Sequence, residues 1–323
     1  MEIVGGGKVI ELGPEHEGPH EIEEHEFFQE SVVLVWWDFE NSIGGYHRIG
    51  HEPNWRDGPH INLFNNLFSP EWIYKNTSFV PMQDRDRFEN GFGCGDACRF
   101  EFKNGQAHWT IKDTDVSAEL VVSDTHPPVD IYPRGGSLGD VAPNHMEVGS
   151  TIGGSVTIKG KDYAVNGLAF RDHGWGVRIW EAFVCHRWIA GTFGPGQSIL
   201  ALSFMGADNV INEFGCVIRD NKLIYAKDVD VLVYLEADGL THRGGHLKME
   251  LTTGEVMEIE CEVLQKGVVT YIHGYAVVDT MCRMTCGDQV GFCDLETANN
   301  AQRGRYRPYT AINAIEKNGL HGV

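Results

Sequence analysis

The segment 167–178 carries the residue types that are best suited to chemistry in this chain. It reads Gly-Leu-Ala-Phe-Arg-Asp-His-Gly-Trp-Gly-Val-Arg. On an extended strand successive side chains alternate between faces, so Arg171, His173 and Trp175 share one face and Asp172 lies on the other. Histidine titrates near neutral pH and can act as a general acid or base, while arginine can stabilise developing negative charge. The spacing therefore predicts a catalytic strand on which His173 moves a proton and Arg171 faces an oxyanion.

A structural interpretation of the same segment stays open. Asp172 and Arg178 can form an ion pair, and Gly174 and Gly176 can allow a bulge or the close approach of another strand. In the functional interpretation Asp172 fixes the orientation of the site, whereas Trp175 and Arg178 contact the substrate. The sequence does not decide which face of the strand lines a cavity.

A second polar group precedes it in the chain, in the run Gly-Gly-Tyr-His-Arg-Ile-Gly at 44–50. By alternation Tyr46 and Arg48 share one face and His47 lies on the other. We predict that Tyr46, His47 and Arg48 bind substrate, together with Trp37 as an apolar wall. The alternative is a turn that Arg48 anchors.

Two carboxylates stand in the alternating run 292–297, at Asp294 and Glu296. They can neutralise Arg171 or Arg178, or donate a proton if burial raises a pKa. We expect instead that they are solvated residues of an edge strand.

Signatures of bound metals and nucleotides are missing from the sequence. The Cys-x3-Cys pairs at 94–98 and 282–286 have no histidine with zinc-site spacing, and 91–95 lacks the context of a dinucleotide loop. The segment 15–30 combines seven glutamates with three histidines, which suits either a metal collar or a solvated acidic arm. We expect the solvated arm, reduced cysteines in the core, no metal site and no cofactor.

Charge and composition exclude some partners. The formal net charge of −20 repels nucleic acid and anionic lipid surfaces over long range. The sequence shows no signal peptide and no apolar stretch long enough for a membrane-spanning helix. We therefore expect a cytoplasmic protein without membrane insertion, whose partner is a small hydrophobic substrate; the oligomeric state stays open, with a homodimer as one option.

Glycine-punctuated runs of β-branched and aromatic residues predict an all-β fold of two antiparallel barrel or sandwich halves. The 39 glycines separate short strands, and Asn104-Gly105 predicts a hairpin turn. Helical periodicity is confined to 70–75. A Pro- and Gly-rich stretch at 124–149 predicts a domain boundary near Gly139. We therefore expect a first domain at 31–138 and a second domain at 139–323, preceded by an acidic arm at 1–30. Strand 32–39 lacks alternation at its start, so we expect both of its faces to be covered.

The run Arg-Asp-His-Gly-Trp-Gly at 171–176 resembles the Asp-His-x-Trp-Gly signature of the carotenoid 1,2-hydratase (hydroxyneurosporene synthase) superfamily. The run Tyr-His-Arg-Ile-Gly at 46–50 resembles a pattern in the N-terminal half of proteins from a large bacterial branch of this superfamily. Most members of that branch have no assigned function. The resemblance implies two lipocalin-like barrels in tandem, chemistry without metal or nucleotide, His173 in proton handling and Trp175 facing a carbocation. The Tyr-x-Asp pair that supplies the proton in hydratases is replaced here by Leu-Ala-Leu-Ser around 200–203.

These features together predict a cofactor-independent lyase or hydratase that acts on an aromatic or terpenoid molecule by general acid–base chemistry. One alternative is a lipocalin-like carrier that binds the same type of ligand without changing it. Another is a pericyclase or isomerase, which depends on the shape of its pocket more than on an acid or base.

Overall fold

The structure, a computed structural model, describes residues 1–6, 8–132, 139–141, 143–300 and 318–322. Short strands connected by tight turns dominate, as expected for a glycine-rich chain with many β-branched and aromatic residues. The described residues include three 3-10 helices at Pro14–His16, Asp84–Asp86 and Trp180–Ala182. The strands in chain order are β1 (Glu2–Val4), β2 (Ile10–Glu11), β3 (Phe28–Asp38), β4 (Ile43–Glu52), β5 (His60–Phe68), β6 (Trp72–Pro81), β7 (Arg87–Phe88), β8 (Gly91–Cys94), β9 (Cys98–Lys103), β10 (Gln106–Lys112), β11 (Val116–Asp124), β12 (Val129–Asp130), β13 (Asn144–Ile158), β14 (Lys161–Val177), β15 (Phe183–Thr192), β16 (Gln197–Gly206), β17 (Ile211–Arg219), β18 (Lys222–Leu235), β19 (His242–Leu251), β20 (Val256–Val263), β21 (Val268–Ile272), β22 (Tyr275–Cys286), β23 (Gln289–Asn300) and β24 (Gly319–Gly322).

The chain divides into two compact units, each with its own sheet. The N-terminal unit comprises Ile10–Tyr132, Ala142–Arg178 and Asn318–Val323. The C-terminal unit comprises Met1–Val9, Pro133–Val141 and Ile179–Lys317.

The N-terminal unit is a curled half-barrel of antiparallel strands. Its main path runs β24-β6-β5-β4-β3-β14-β13-β11-β10-β9-β8-β7, with β12 beside β13 and β2 beside β12. Alternate residues of β3, namely Val32, Leu34 and Trp36, join one apolar core with side chains from β8 to β11. This core defines the inner face of the sheet. The opposite face is called the outer face below.

The C-terminal unit is a closed barrel of eight strands. Its path runs β18-β17-β16-β15-β23-β22-β20-β19, and β19 pairs with β18 to close the ring. A core of aliphatic, methionine and cysteine side chains fills the barrel. All eight cysteines of the chain are free thiols in the structure, and six of them are buried, so most of them lie in the core as predicted.

The predicted all-β fold with two barrel-like halves is confirmed. Asn104 and Gly105 have φ values of 54° and 75°, as a type I′ hairpin between β9 and β10 requires. The helix predicted at 70–75 is wrong, because β6 begins at Trp72. The Ser69 hydroxyl accepts the backbone N–H groups of Glu71 and Trp72 in a tight turn, and the aromatic and β-branched run that follows favours a strand.

The unit boundaries differ from the predicted division between residues 138 and 139, the first of which lies outside the described residues. The hairpin of β13 and β14 belongs to the N-terminal unit because β14 pairs with β3 over ten consecutive residues. A composition break marks a loop in the chain, whereas strand pairing decides which sheet a segment joins. Across the part of the chain that the structure describes, no helix is long and apolar enough to cross a membrane.

Candidate functional site

Strand β14 lies between β13 and β3 in the N-terminal sheet and carries the predicted chemical segment. Arg171 pairs with Leu34, and His173 pairs with Val32, so both side chains stand on the inner face. Asp172 pairs with Val33 of β3 and with Glu147 of β13, on the outer face. The segment therefore forms two separate groups of polar side chains, one on each face.

The inner cluster consists of His20, Glu30, Arg87, His173 and Trp175. The fully buried Glu30 carboxylate lies 3.0 Å from His173 Nε2, 2.7 Å from His20 Nδ1 and 2.5 Å from an Arg87 nitrogen. The backbone N–H of His20 donates to both carboxylate oxygens. Burial opposes ionisation of Glu30, but the hydrogen bonds from His173 and His20 outweigh it and hold the pKa of this carboxyl far below its usual range.

Aromatic contacts hold the N-terminal arm against this cluster. The His20 ring stacks on Trp175 with centroids 3.9 Å apart and planes 5° apart, and His16 Nδ1 lies 3.0 Å from His20 Nε2. Phe92 contacts His173 edge-on at 5.3 Å. The face of Trp175 that was predicted to meet a carbocation is therefore covered by the chain's own histidine.

Arg171 forms ion pairs along the same inner face. Its guanidinium donates from both terminal nitrogens to Glu17, at 2.8 and 2.7 Å, and from Nε and Nη2 to Asp124, at 2.8 and 2.6 Å. The two carboxylates outweigh the desolvation of Arg171 and hold its pKa above the ordinary value. This geometry does not support the predicted oxyanion role, because four donor contacts already go to protein carboxylates.

The acidic arm differs from the solvated segment that we expected. Glu17 is 3% exposed and Glu30 is fully buried, whereas 21–26 are exposed. Only part of the arm is therefore solvated, because Glu17 neutralises the buried Arg171 and Glu30 neutralises the half-buried Arg87.

His47 lies on the inner face as a neutral hydrogen-bonded residue. Its Nδ1 lies 2.8 Å from the Asn65 side-chain oxygen, and its Nε2 accepts from the Trp36 indole at 3.0 Å. The indole can only donate, so the proton of His47 resides on Nδ1. Burial lowers the pKa of His47 to about 4. This arrangement favours a structural role over the predicted substrate contact.

The outer cluster consists of Arg48, His145, Glu147, Asp172 and Arg178. His145 Nε2 lies 3.4 Å from Asp172 Oδ2 and 3.5 Å from Glu147 Oε1. Tyr132 donates to Glu147 at 2.7 Å, and its ring stacks on His145 with centroids 4.5 Å apart. Two carboxylates on one ring nitrogen place its proton on Nε2 and leave Nδ1 with a lone pair, which makes His145 a geometrically suitable base.

Gln29 and Gly174 connect the two arginines of the outer cluster. Arg48 Nη2 donates to the Gln29 side-chain oxygen at 3.3 Å, and the Gln29 amide donates to the Gly174 carbonyl at 3.4 Å. A Cβ on Gly174 would lie 3.2 Å from His145 Nδ1 and 3.4 Å from Arg178 Nη2. The missing side chain of this glycine thus lets a base and a guanidinium approach the same point.

The predicted apolar walls do not share one face. Trp37 pairs with Leu168, and Tyr46 pairs with Val35, so both stand on the outer face with Asp172 and Arg48. Trp175 stands on the inner face with His173. A single pocket lined by Trp175, Trp37 and Tyr46 is therefore excluded, because the sheet separates them.

Asp294 and Glu296 lie on β23, between β15 and β22 of the C-terminal barrel. The expectation of solvated edge residues is wrong, since Asp294 is fully buried and burial raises the pKa of its carboxyl well above the ordinary value. Glu296 contacts His186. Among the described residues, Arg171 takes its acidic partners from Glu17 and Asp124 instead.

Two groups in the N-terminal unit have the donor atoms of a metal site, although no metal site was expected: His20 with Glu30 and His173, and His145 with Glu147 and Asp172. In the first group both histidines share one carboxylate oxygen and Arg87 pairs with the other, so protein cations already balance the charge. The second group lies next to Arg178, whose charge opposes a cation. Both groups suit hydrogen-bond networks better than metal coordination.

Sequence reasoning missed the residues that complete both clusters. His145 and Glu147 belong to β13, and their spacing of two was the available signal, because it places them on one face of a strand. Arg87 lies in a two-residue strand without a recognisable pattern.

Fold and clusters together define an all-β protein of two barrel-like halves, with buried acid–base side chains on a central strand. A Nitrosomonas europaea protein with the provisional name AttH superposes with a TM-score of 0.70 at 15% identity, covering 93% of this chain and 99% of that one. The structure of CghA superposes with a TM-score of 0.63 at 11% identity, covering 87% of this chain and 90% of CghA. The structure of CghA with Sch210972 superposes with a TM-score of 0.60 at 11% identity, covering 85% of this chain and 89% of that one. At these identities the likeness concerns the fold.

The chain belongs to the family described as a domain of unknown function, DUF7064, whose model matches residues 13–301. None of the curated proteins matches this chain in sequence. The finer resemblance to carotenoid 1,2-hydratases stays a prediction.

Proposed function

We propose that this protein is a lyase or hydratase that acts on a small, largely apolar molecule by general acid–base chemistry at the outer cluster. The observation that carries the proposal is the position of His145, whose Nε2 faces Asp172 and Glu147 while Nδ1 has no hydrogen-bond partner among the described residues. A histidine held by a carboxylate through one nitrogen, with the other nitrogen turned to the reaction, is the usual arrangement of a catalytic base.

The proposal moves the proton carrier from His173 to His145. The side chain of His145 is 13% exposed, as is that of Asp172, whereas His173 is 1% exposed. His173 also shares the Glu30 oxygen with His20, and Phe92 and Trp175 pack around its ring. Both histidines require a rearrangement before a substrate can bind, because His145 Nδ1 is itself buried. The side chain of His145 is nevertheless more exposed than that of His173, which the arm covers.

The chemistry follows from these positions. His145 Nδ1 takes a proton from a substrate carbon, and the C–H electron pair forms a C=C bond as the neighbouring C–O bond breaks. The departing hydroxide takes the proton from the imidazolium and leaves as water. Hydration is the reverse sequence. Asp172 and Glu147 stabilise the imidazolium, and the cations of the outer cluster stabilise negative charge that develops on the substrate.

Two further observations support a small-molecule site. CghA, which has a similar fold, has a structure with Sch210972. The outer face also carries large buried aromatic side chains, among them Trp37, Tyr46 and Phe64, which suit an apolar ligand.

The test is incubation of the protein with a library of aromatic and terpenoid compounds, followed by mass spectrometry. We expect a change equal to one water for at least one compound, and a loss of about 10²-fold or more in kcat for His145→Gln. His108→Gln, a partly exposed histidine on β10, is the matched control and retains activity. Binding without a mass change identifies a carrier or an isomerase and contradicts the proposal, as does full turnover by His145→Gln.

A further inference from the structure

We infer that Arg48 and Arg178 form a carboxylate-binding subsite, so that the substrate is an organic acid with an apolar body. The inference rests on the proposed function, because it assigns the substrate class of the same outer cluster. It depends on a buried cation, on the approach of a second cation and on the aromatic side chains beside them.

Arg48 is a buried guanidinium without an acidic partner. It is 6% exposed, and no carboxylate of the described residues lies within ion-pair distance of it. Its contacts are the hydrogen bond to Gln29 and the ring of Phe64, whose centroid lies 5.4 Å away. Its Nη1 is buried and has no hydrogen-bond partner in the part of the chain that the structure describes. Because an unpaired buried charge is costly, such a group is expected where a ligand supplies the opposite charge.

Arg178 brings a second positive charge to the same place. Its Nη2 lies 3.4 Å from the position of a Cβ on Gly174, whose carbonyl accepts from the Gln29 amide that also contacts Arg48. Burial and the charge of Arg48 lower the pKa of Arg178 to about 10. Two guanidinium groups that repel each other are stabilised when one anion binds to both.

The surroundings favour a carboxylate over a phosphate. Asp172 and Glu147 of the same cluster are acidic, and they repel a dianion more strongly than a monoanion. Phe64 packs against Arg48, and Tyr46 contacts Phe64 with centroids 6.1 Å apart, which provides an apolar surface next to the cations. An acid with an aromatic or aliphatic body satisfies both features.

The subsite also orients the substrate toward the base. His145 Nδ1 and Arg178 Nη2 lie 3.2 and 3.4 Å from the position that a Cβ of Gly174 would take, so the base and this guanidinium are close neighbours on one side of the strand. A carboxylate bound to Arg178 therefore has its adjacent carbon near His145. Negative charge that develops when this carbon loses a proton is delocalised onto the carboxylate and stabilised by both guanidinium groups.

The first test is thermal unfolding with matched pairs of probes: cinnamate, phenylacetate and decanoate, each against its amide. We expect the acids to raise the melting temperature and the amides to have little effect. In Arg48→Gln the affinity for the acids falls about tenfold or more, because a charged hydrogen-bonding partner is lost. Arg56→Gln, an exposed arginine, is the control and binds as the unaltered protein does. The inference is overturned if acids and amides raise the melting temperature equally. It is also overturned if Arg48→Gln and Arg56→Gln lose the same affinity for the acids.

A second measurement needs no ligand. In a low-salt zwitterionic buffer Arg48→Gln raises the melting temperature, because the substitution removes an unpaired buried charge, whereas an arginine with a structural role lowers it. A lower melting temperature overturns the inference. Stabilisation by inorganic phosphate equal to that by the acids also overturns the choice of a carboxylate.

The two proposals fail in different ways. If His145→Gln binds the acids normally and has lost turnover, both proposals are supported. If the acids bind through Arg48 while His145→Gln turns over normally, only the catalytic role of His145 is refuted. If turnover depends on His145 but acids and amides react equally well, only the carboxylate subsite is refuted.

Discussion

Glu30→Gln is expected to destabilise the N-terminal unit strongly. The carboxylate is fully buried and accepts from His20, His173 and Arg87. Glutamine has nearly the same shape but carries two N–H donors in place of one oxygen, so either orientation of the amide opposes a donor of the cluster. Removing one partner of a buried ion pair costs about 3–5 kcal/mol because the other charge stays buried. At about 2–4 °C per kcal/mol for a unit of this size, the melting temperature falls by about 6–20 °C.

The assay is calorimetry of Glu30→Gln beside Glu24→Gln. Glu24 is an exposed glutamate of the same arm, and its substitution changes the free energy of unfolding by less than about 0.5 kcal/mol. Urea unfolding followed by tryptophan fluorescence gives the same difference independently, since Trp175 lies in the inner cluster. An effect of Glu30→Gln no larger than that of Glu24→Gln refutes the assignment of Glu30 as the central acceptor of this network.

Three further predictions concern the same unit. Burial lowers the pKa values of His47 and His51 to about 4, so the unfolded chain binds protons there below about 6.5 while the folded chain does not. Stability therefore falls as the pH decreases from 6.5 to 4 in urea titrations, and His47→Gln reduces the slope. Glu17→Gln removes one carboxylate from Arg171 and accelerates amide hydrogen exchange in 13–20. Gly176→Ala lowers stability by about 1–3 kcal/mol, because φ is +119° and a Cβ would lie 2.7 Å from a proline carbon.

A slope in His47→Gln equal to that of the unaltered protein contradicts the first prediction. The other two predictions have matched controls. For the arm, the control is Glu15→Gln, because the side chain of Glu15 is 71% exposed. Equal amide exchange in Glu17→Gln and Glu15→Gln contradicts the second prediction. Gly196 has no positive φ, and no atom of the described residues lies within 4 Å of its Cβ position, so Gly196→Ala is the control for Gly176→Ala. Equal stability of the two variants contradicts the third prediction.

Local patterns predicted the alternation of β14 and β4 correctly. Arg171, His173 and Trp175 lie on one face and Asp172 on the other, and Tyr46 and Arg48 stand opposite His47. These predictions hold because the period of a strand depends on backbone geometry alone. The covered faces of β3 were also predicted, since every residue of this strand is buried. The helix at 70–75 failed because a turn and a strand can have the same short apolar pattern.

Contacts between residues that are distant in the chain could not be predicted from local sequence patterns. Arg171 meets Glu17 from 154 positions away, and His173 meets Glu30 from 143 positions away. The arm carries several glutamates with similar local sequence, and only the fold selects the two that become buried. Trp175 and Trp37 show that the fold also separates residues that the sequence suggested would act together. Both were predicted to form an apolar wall, but the sheet places them on different faces.

The amino-acid sequence by itself determined the all-β class, the two barrel-like halves and which chemical residues share a face of a strand, because glycine spacing and strand alternation are local properties. The tertiary structure alone decided which residues form a site. Pairing of β13 with β14 places His145 and Glu147 beside Asp172, and pairing of β14 with β3 places Glu30 beside Trp175 and His173. The physical reason is that the charge and burial of a side chain depend on neighbours that strand register brings together from distant parts of the chain.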